Sequence, residues 1–275
     1  VVSHSRMDIV VANGPRVVAA AAGAGCPVVF HLHSRLETGY ARVITRASLR
    51  YSHGRAICAS KFVAGPLGRP ATIIYNGVRD LGYEPKVQGN GCIRVGIIGR
   101  LAPEKGHMDF IAAAHALIAA GSKARFTIHG TAMFSRPAYE EQLRAMAGPS
   151  VEFHGWTDNV AGVLHELDIL AVPSRAVEAS PRVVLEALSA GTPVVAYPSG
   201  GIPELIEDGV SGVLTQRSDY ASLAESVQEL LGDRSKMASL SRNGRQEWEA
   251  RFRVERFQRD VCDLLESSVE KAGQP

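Results

Sequence analysis

Asp168-Ile-Leu-Ala-Val-Pro-Ser174 is an apolar run of strand length closed by Pro173-Ser174, and six residues later Ser180-Pro181 opens a second apolar stretch with the signals of a helix start. Strand, loop and helix N-terminus in that order call for an α/β layer. Ser180 is expected to cap the helix through its hydroxyl, with Pro181 in the first turn. Such a helix aims unpaired backbone N–H groups and the positive end of its dipole at whatever fills the crevice above the strand. That setting suits an anion such as a diphosphate.

Two glutamates flank the helix start. Glu178 precedes it, and Glu186 stands inside the helix among Val183, Val184, Leu185, Ala187 and Leu188. A helix apolar around its circumference is a buried one, and a carboxylate on it needs a reason. The plain reason is an i,i+4 pair with Arg182, worth about 0.2–0.5 kcal/mol on an exposed face.

Strand and helix patterns alternate elsewhere too. Strands are expected at residues 8–12, 27–33, 55–59 and 71–75, with helices at about 15–25 and 38–52 between them. After a polar Gly/Pro-containing stretch from Gly82 to Gly91, read as a linker, strands recur at 93–99, 125–130, 151–156 and 194–197. Helices are expected at about 107–120 and 160–167, and helical periodicity fills 220–231 and 236–270. In that last stretch Trp248, Phe252, Phe257, Val261, Leu264 and Leu265 mark an apolar stripe. Alternation of this kind argues for parallel sheets.

Several side chains fall where open sheets bind ligands. His31 and His33 point to one side of their strand, and His33 stands at its carboxyl end. Arg100 and Lys105 occupy a strand-to-helix turn from which cations reach a phosphate. Gly200-Gly201 permits close approach of a backbone to a ligand. Arg42, Arg46 and Arg50 recur every four residues along one helix. They form either a solvated face or a docking face for anionic lipid or a phosphorylated acceptor.

The net charge of +2 gives no overall pull toward nucleic acid or membrane, so any such contact must be local. Cys26, Cys58, Cys92 and Cys262 lie far apart with no zinc-like spacing, so reduced thiols and no metal are expected.

Glu178 and Glu186 are followed by Ala190-Gly191-Thr-Pro-Val-Val-Ala196, Gly200-Gly201-Ile-Pro-Glu204 and Asp208-Gly-Val-Ser-Gly212. This series resembles the signature of the family 4 (group 1) retaining glycosyltransferases, which have the two-domain GT-B architecture. Gly99-Arg100, four residues, then Lys105-Gly106 closely resembles the diphosphate clamp of that family. Residues 27–33, 56–60 and 73–78 resemble, in order, the second half of its N-terminal domain, so the chain reads as a fragment or shortened form. Two departures stand out. Arg79 precedes Asp80 where the family has aspartate directly after Asn-Gly-Val, and Gly130-Thr131-Ala132 replaces Gly-x-Gly, which would crowd the nucleotide slightly.

The resemblance implies two Rossmann-like parallel-sheet domains, the first incomplete. Residues 1–81 would form the acceptor-side domain, 82–92 a linker, 93–246 the nucleotide-sugar-binding domain, and 247–275 a helix crossing back to the first domain. Glu178 and His33 would face the donor sugar as catalytic groups. Arg100, Lys105 and the backbone of Arg182 and Val183 would hold the diphosphate, Glu186 the ribose, and Gly200 and Gly201 would lie near sugar or phosphate.

Sugar transfer to an acceptor hydroxyl with retention would then need no metal, since no Asp-x-Asp pair is present, and no cofactor beyond a UDP- or GDP-sugar donor. The expected acceptor is a carbohydrate or glycolipid of envelope polysaccharide synthesis, met in the cytoplasm or at the inner face of the membrane, with no nucleic acid partner. A sugar-nucleotide epimerase and a non-catalytic nucleotide-sugar-binding fragment are the competing readings.

Overall fold

The computed structural model describes residues 7–15, 17–36, 39–52, 54–86, 92–133, 137–175 and 178–272. The chain forms two compact units, one of Val1–Gly77 with Val254–Pro275 and one of Val78–Arg253.

The first unit opens with β1 (Val10–Asn13), α1 (Val18–Ala22), β2 (Val28–Leu32), α2 (Tyr40–Tyr51), β3 (Arg55–Cys58), α3 (Lys61–Ala64) and β4 (Thr72–Ile73). The strands pair in parallel in chain order, with Val10 opposite Val28, Val29 opposite Arg55 and Ile57 opposite Thr72. Central β2 is buried at Val28, Val29, Phe30 and Leu32, as a strand of a parallel sheet covered on both faces should be. Ser60 caps α3 by accepting a hydrogen bond from the Val63 N–H at 3.3 Å. Helix α2 turns Thr45, Ser48 and Leu49 inward, while Tyr40, Val43 and Tyr51 are 81 %, 63 % and 76 % exposed beside exposed Arg46 and Arg50.

The second unit contains β5 (Arg94–Ile98), α4 (His107–Ala119), β6 (Arg125–His129), α5 (Pro137–Ala147), β7 (Val151–Gly155), α6 (Val160–Glu166), β8 (Ile169–Val172), α7 (Arg182–Ala190), β9 (Val194–Ala196), β10 (Val213–Leu214), α8 (Tyr220–Gly232) and α9 (Arg234–Arg251). Its six strands are all parallel in the order β10-β9-β8-β5-β6-β7. The chain first builds outward from β5 to β7 and then returns to the other side of β5 with β8. Strand order therefore reverses between β5 and β8, and a doubly wound sheet opens its ligand crevice at the carboxyl ends of such a pair.

One face of this sheet is sealed by Phe110, Ile111 and Ala114 of α4 and Leu223, Val227 and Leu230 of α8, packed with Val95, Ile97, Phe126, Ile128 and Ile169. Each Val, Leu, Ile or Phe side chain so buried contributes about 1.5–3 kcal/mol. At Gly96 a Cβ would stand 2.6 Å from the methyls of Leu167, which would have to move to admit it.

The final helix, α10 (Val254–Ala272), belongs to the first unit. There Leu264 joins Val29, Ile57 and Ile74 in a buried cluster against which Phe257, Val261 and Leu265 pack. Arg256 donates to the Tyr75 carbonyl, and Arg55 to the Ser267 hydroxyl at 2.6 Å.

Three expectations change. The continuous helical stretch at 236–270 is two helices, because α9 starts early at an Asp233 cap and breaks at Phe252-Arg253. The apolar stripe is correspondingly two surfaces, with Trp248 and Phe252 buried in the second unit and Phe257 to Leu265 in the first. Within the expected 82–92 linker, residues 87–91 lie outside the described residues, but 82–86 are fastened to the second unit. Lys86 donates to the His165 carbonyl at 2.7 Å, and Tyr83 packs so near Gly191 that a Cβ there would meet its ring at 2.5 Å. Leu81 N–H, just ahead, donates to the Ser189 hydroxyl at 3.0 Å.

Candidate functional site

Beyond β5 the chain passes through Gly99 and a short 3-10 turn, Pro103–Lys105, into α4. Gly106 makes that route possible. Its φ is +76°, and a Cβ would stand 1.8 Å from the Pro173 carbonyl oxygen at the end of β8. The Leu101 N–H donates to the Thr131 carbonyl at 2.9 Å, which ties the loop after β6 to the loop after β5.

These contacts bring Lys105 to Glu178, which follows β8. Lys105 Nζ and Ser174 Oγ both donate to Glu178 Oε1, the hydroxyl at 3.0 Å. Lys105, Ser174, Glu178, Pro181 and Val183 line one small cavity floored by Ile97, Ile98 and Val172, at the reversal point of the sheet.

Helix α7 rises from the same spot. It starts at Arg182 with Pro181, not Ser180, in the cap position, and no side chain caps it. The extended ψ of 118° at Pro181 ends the loop one residue later than the expected serine cap. Val184 N–H bonds the Pro181 carbonyl, while the N–H groups of Arg182 and Val183 have no acceptor within the helix. Val184, Leu185, Ala187 and Leu188 are buried, as expected of an apolar helix.

Glu186 lies on this helix with its carboxylate largely covered, 3.5 Å from Arg182 Nη2. Burial pushes its acidity toward higher pH, and the neighbouring guanidinium pulls it partly back. Arg100 is engaged by Glu104 at 2.5 Å and does not line the cavity. The Arg182–Glu186 pair that the sequence offered is thus formed.

Gly200-Gly201 makes its close approach to Glu178 itself. Gly201 N–H donates to the Glu178 carbonyl at 2.7 Å, and a Cβ on Gly200, whose φ is +60°, would stand 2.1 Å from that oxygen.

His33 belongs to the first unit, exposed just past the carboxyl end of β2. Its ring centroid is 3.9 Å from that of His31, which also stacks near Phe257. Burial, and then the neighbouring His33, lower His31 to about 4, and burial lowers His33 as well.

Four side chains of the pocket surroundings escaped the sequence reading: Ser174, Asp109, Arg175 and Tyr197. Asp109 takes a two-pronged pair from Arg175 and a hydrogen bond from Tyr197. The signal that picked out Glu186, a carboxylate on an apolar helix, also marks Asp109 within His107–Ala119.

A lysine, a hydroxyl, a carboxylate and the start of a helix thus meet at one sheet crevice, an arrangement able to hold a phosphate-bearing ligand against an acidic group. Among the described residues no three His, Cys, Asp or Glu side chains are placed to share a metal ion, and no helix is long and apolar enough to cross a membrane.

Residues 92–233 match the family described as Glycosyl transferases group 1. The chain is 33% identical over 179 residues to the GDP-mannose-dependent monoacylated alpha-(1-6)-phosphatidylinositol monomannoside mannosyltransferase of Corynebacterium glutamicum, covering 61% of this chain and 45% of that one. It is 26% identical over 250 residues to the lipopolysaccharide core biosynthesis mannosyltransferase LpsB of Rhizobium meliloti, covering 85% of this chain and 70% of that one. The fold superposes on Anabaena HepE, solved in complex with UDP, with a TM-score of 0.84 at 25% identity over 94% of this chain and 79% of that one. The chain spans less than half the length of the Corynebacterium protein.

Proposed function

This chain belongs to the glycosyl transferases group 1, and from that premise we propose that it moves a sugar from a nucleoside-diphosphate donor to an acceptor hydroxyl, with retention and without a metal ion. The observation that carries this reading is the meeting of Lys105, Glu178 and the start of α7 in one cavity at the switch point of a parallel sheet.

The donor diphosphate would sit on the N–H groups of Arg182 and Val183 and on Lys105, with Arg100 joining once it leaves Glu104. Charge developing on the departing diphosphate would be met by these fixed groups, an electrostatic strategy that needs no ion. Glu186 would take the two ribose hydroxyls. Glu178 would stabilise the cationic sugar, and His33 is the second residue to which a catalytic role is assigned. With retention, the acceptor hydroxyl arrives on the face from which the diphosphate leaves.

HepE was solved with UDP, and the Corynebacterium relative is GDP-mannose-dependent, so both bases belong in the test. The named relatives are a phosphatidylinositol monomannoside mannosyltransferase and a lipopolysaccharide core biosynthesis mannosyltransferase, which supports a glycan or glycolipid acceptor in envelope synthesis, a reaction we place at the cytoplasmic face of a membrane. Contact with that membrane is assigned to α2, whose outer face combines Arg46 and Arg50 with Tyr40, Val43 and Tyr51.

A thermal-shift panel of UDP, GDP and their sugars tests the reading. A true ligand at a hundred times its dissociation constant adds about 2.7 kcal/mol of stability. Product analysis of the responding donor then decides the chemistry. Sugar on an acceptor, or slow release of free sugar, supports transfer, whereas an isomerised nucleotide sugar or an inert donor overturns it.

A further inference from the structure

We infer that the Asp109–Arg175 pair, together with Tyr197, sets Lys105 and Glu178 at their mutual distance, a positioning role whose importance for turnover rests on the donor-pocket reading above. Asp109 lies in the first turn of α4 with its carboxylate almost wholly buried. Arg175 Nε donates to Oδ2 and Nη2 to Oδ1, both at 2.6 Å, and the Tyr197 hydroxyl donates to Oδ2 at 3.0 Å. A helix N-terminus favours a carboxylate, but burial is tolerated only where both oxygens find matched donors, and the planar guanidinium fork supplies that match.

The three partners come from three different strand ends. Asp109 follows the loop that carries Lys105. Arg175 sits between Ser174 and Glu178, and Tyr197 stands three residues before Gly200. The main chain repeats the same stitching: Arg175 N–H donates to the Glu104 carbonyl at 2.9 Å and Tyr197 N–H to the Val172 carbonyl at 3.2 Å. One carboxylate therefore joins the two loops that bring Lys105, Ser174 and Glu178 to the cavity, after β5 and β8, to the end of β9, whose loop carries Gly201 to the Glu178 carbonyl. The lysine that reaches Glu178 does so on a flexible four-carbon stem, and a reacting group displaced by about 1 Å loses roughly two powers of ten in rate. A rigid fork behind it removes that freedom.

The test uses the full chain, with Arg175→Ala, Arg175→Lys and Tyr197→Phe, and reads the acylation rate of Lys105 by an amine-reactive reagent under native conditions. In Arg175→Ala, Lys105 is expected to react about tenfold faster, equivalent to ~1.4 kcal/mol of lost pairing with Glu178, while exposed Lys123 keeps its rate. Arg175→Lys restores only part of the protection, because one ammonium cannot span both oxygens. The Arg175 side chain is 58% exposed, so the vacated slot opens to solvent, and millimolar guanidinium ion should restore protection in Arg175→Ala. An unchanged Lys105 rate, or acceleration of Lys105 and Lys123 alike, overturns the inference. Binding of UDP or GDP by the unaltered chain is measured alongside. Its absence would overturn the pocket reading, while the lysine footprint decides the positioning role whatever the ligand.

Discussion

Lys105 already has an anionic partner, and that fact shapes what each glutamate should do. On the proposed reading, a diphosphate arriving at Lys105 would compete with Glu178 for the same ammonium. In Glu178→Gln the competition is gone, so nucleoside diphosphate is expected to bind as tightly or up to about tenfold tighter, while transfer falls by at least two powers of ten. Calorimetry and donor turnover read the two separately, and weaker binding by Glu178→Gln would contradict the assigned competition. Glu186 should behave in the opposite way. Charge-assisted hydrogen bonds to a ribose are worth about 1.5–3 kcal/mol, so Glu186→Ala should weaken nucleotide binding by roughly one to two powers of ten. Unchanged calorimetric affinity would remove Glu186 from the nucleotide site. The glutamates were legible because spacing and an apolar helix expose a carboxylate that needs a partner. Asp109 passed unnoticed because its partners, Arg175 and Tyr197, lie 66 and 88 residues away and meet it only once β5, β8 and β9 are neighbours.

Among the connecting segments, the β5–α4 turn is the least forgiving. Gly106→Ala adds a Cβ 1.8 Å from the Pro173 carbonyl in a left-handed conformation. Left-handed strain costs about 1–2 kcal/mol and overpacking about 1–3. Together they should lower the melting temperature by roughly 4–20 °C, and a melt within about 1 °C of the unaltered chain would show that the loop can yield. Helix α2 carries a separate expectation. Each arginine near an anionic surface is worth about 1 kcal/mol, so the double variant Arg46→Ala, Arg50→Ala should bind phosphatidylglycerol vesicles roughly thirtyfold more weakly. Equal flotation of both proteins would make α2 an ordinary solvated face. Periodicity located α2 and α8 correctly, yet it left the stripe from Trp248 to Leu265 undivided. An apolar stripe records that a helix is covered, not which core covers it. The segment after Gly82 looked loose because fastenings such as Lys86 to the His165 carbonyl span about eighty positions and leave no local pattern.

Taken together, the two units share an acid sensitivity with an identifiable origin. Burial lowers His31, His107 and His129 from 6.5 to about 4. Between those values the unfolded chain binds protons that the native chain refuses. Their stabilising contribution is therefore complete above about pH 6.5 and is lost as pH falls toward 4. Asp80, held at about 2 chiefly by its hydrogen bonds from Arg245, contributes above its ordinary value of 3.8 and loses that contribution only as pH falls to about 2. Scanning calorimetry should show the melting temperature declining from pH 6.5 to 4, with a shallower slope in His107→Gln. An identical slope would place the sensitivity elsewhere. The parallel-sheet layout was readable from alternating strand and helix patterns, whereas the strand order, and with it the reversal beside β5, required the assembled sheet.

That layout carries a further consequence. Among the described residues β1 pairs with β2 alone, and a strand added on its other flank, from this chain or from a peptide, would lengthen the first sheet by one.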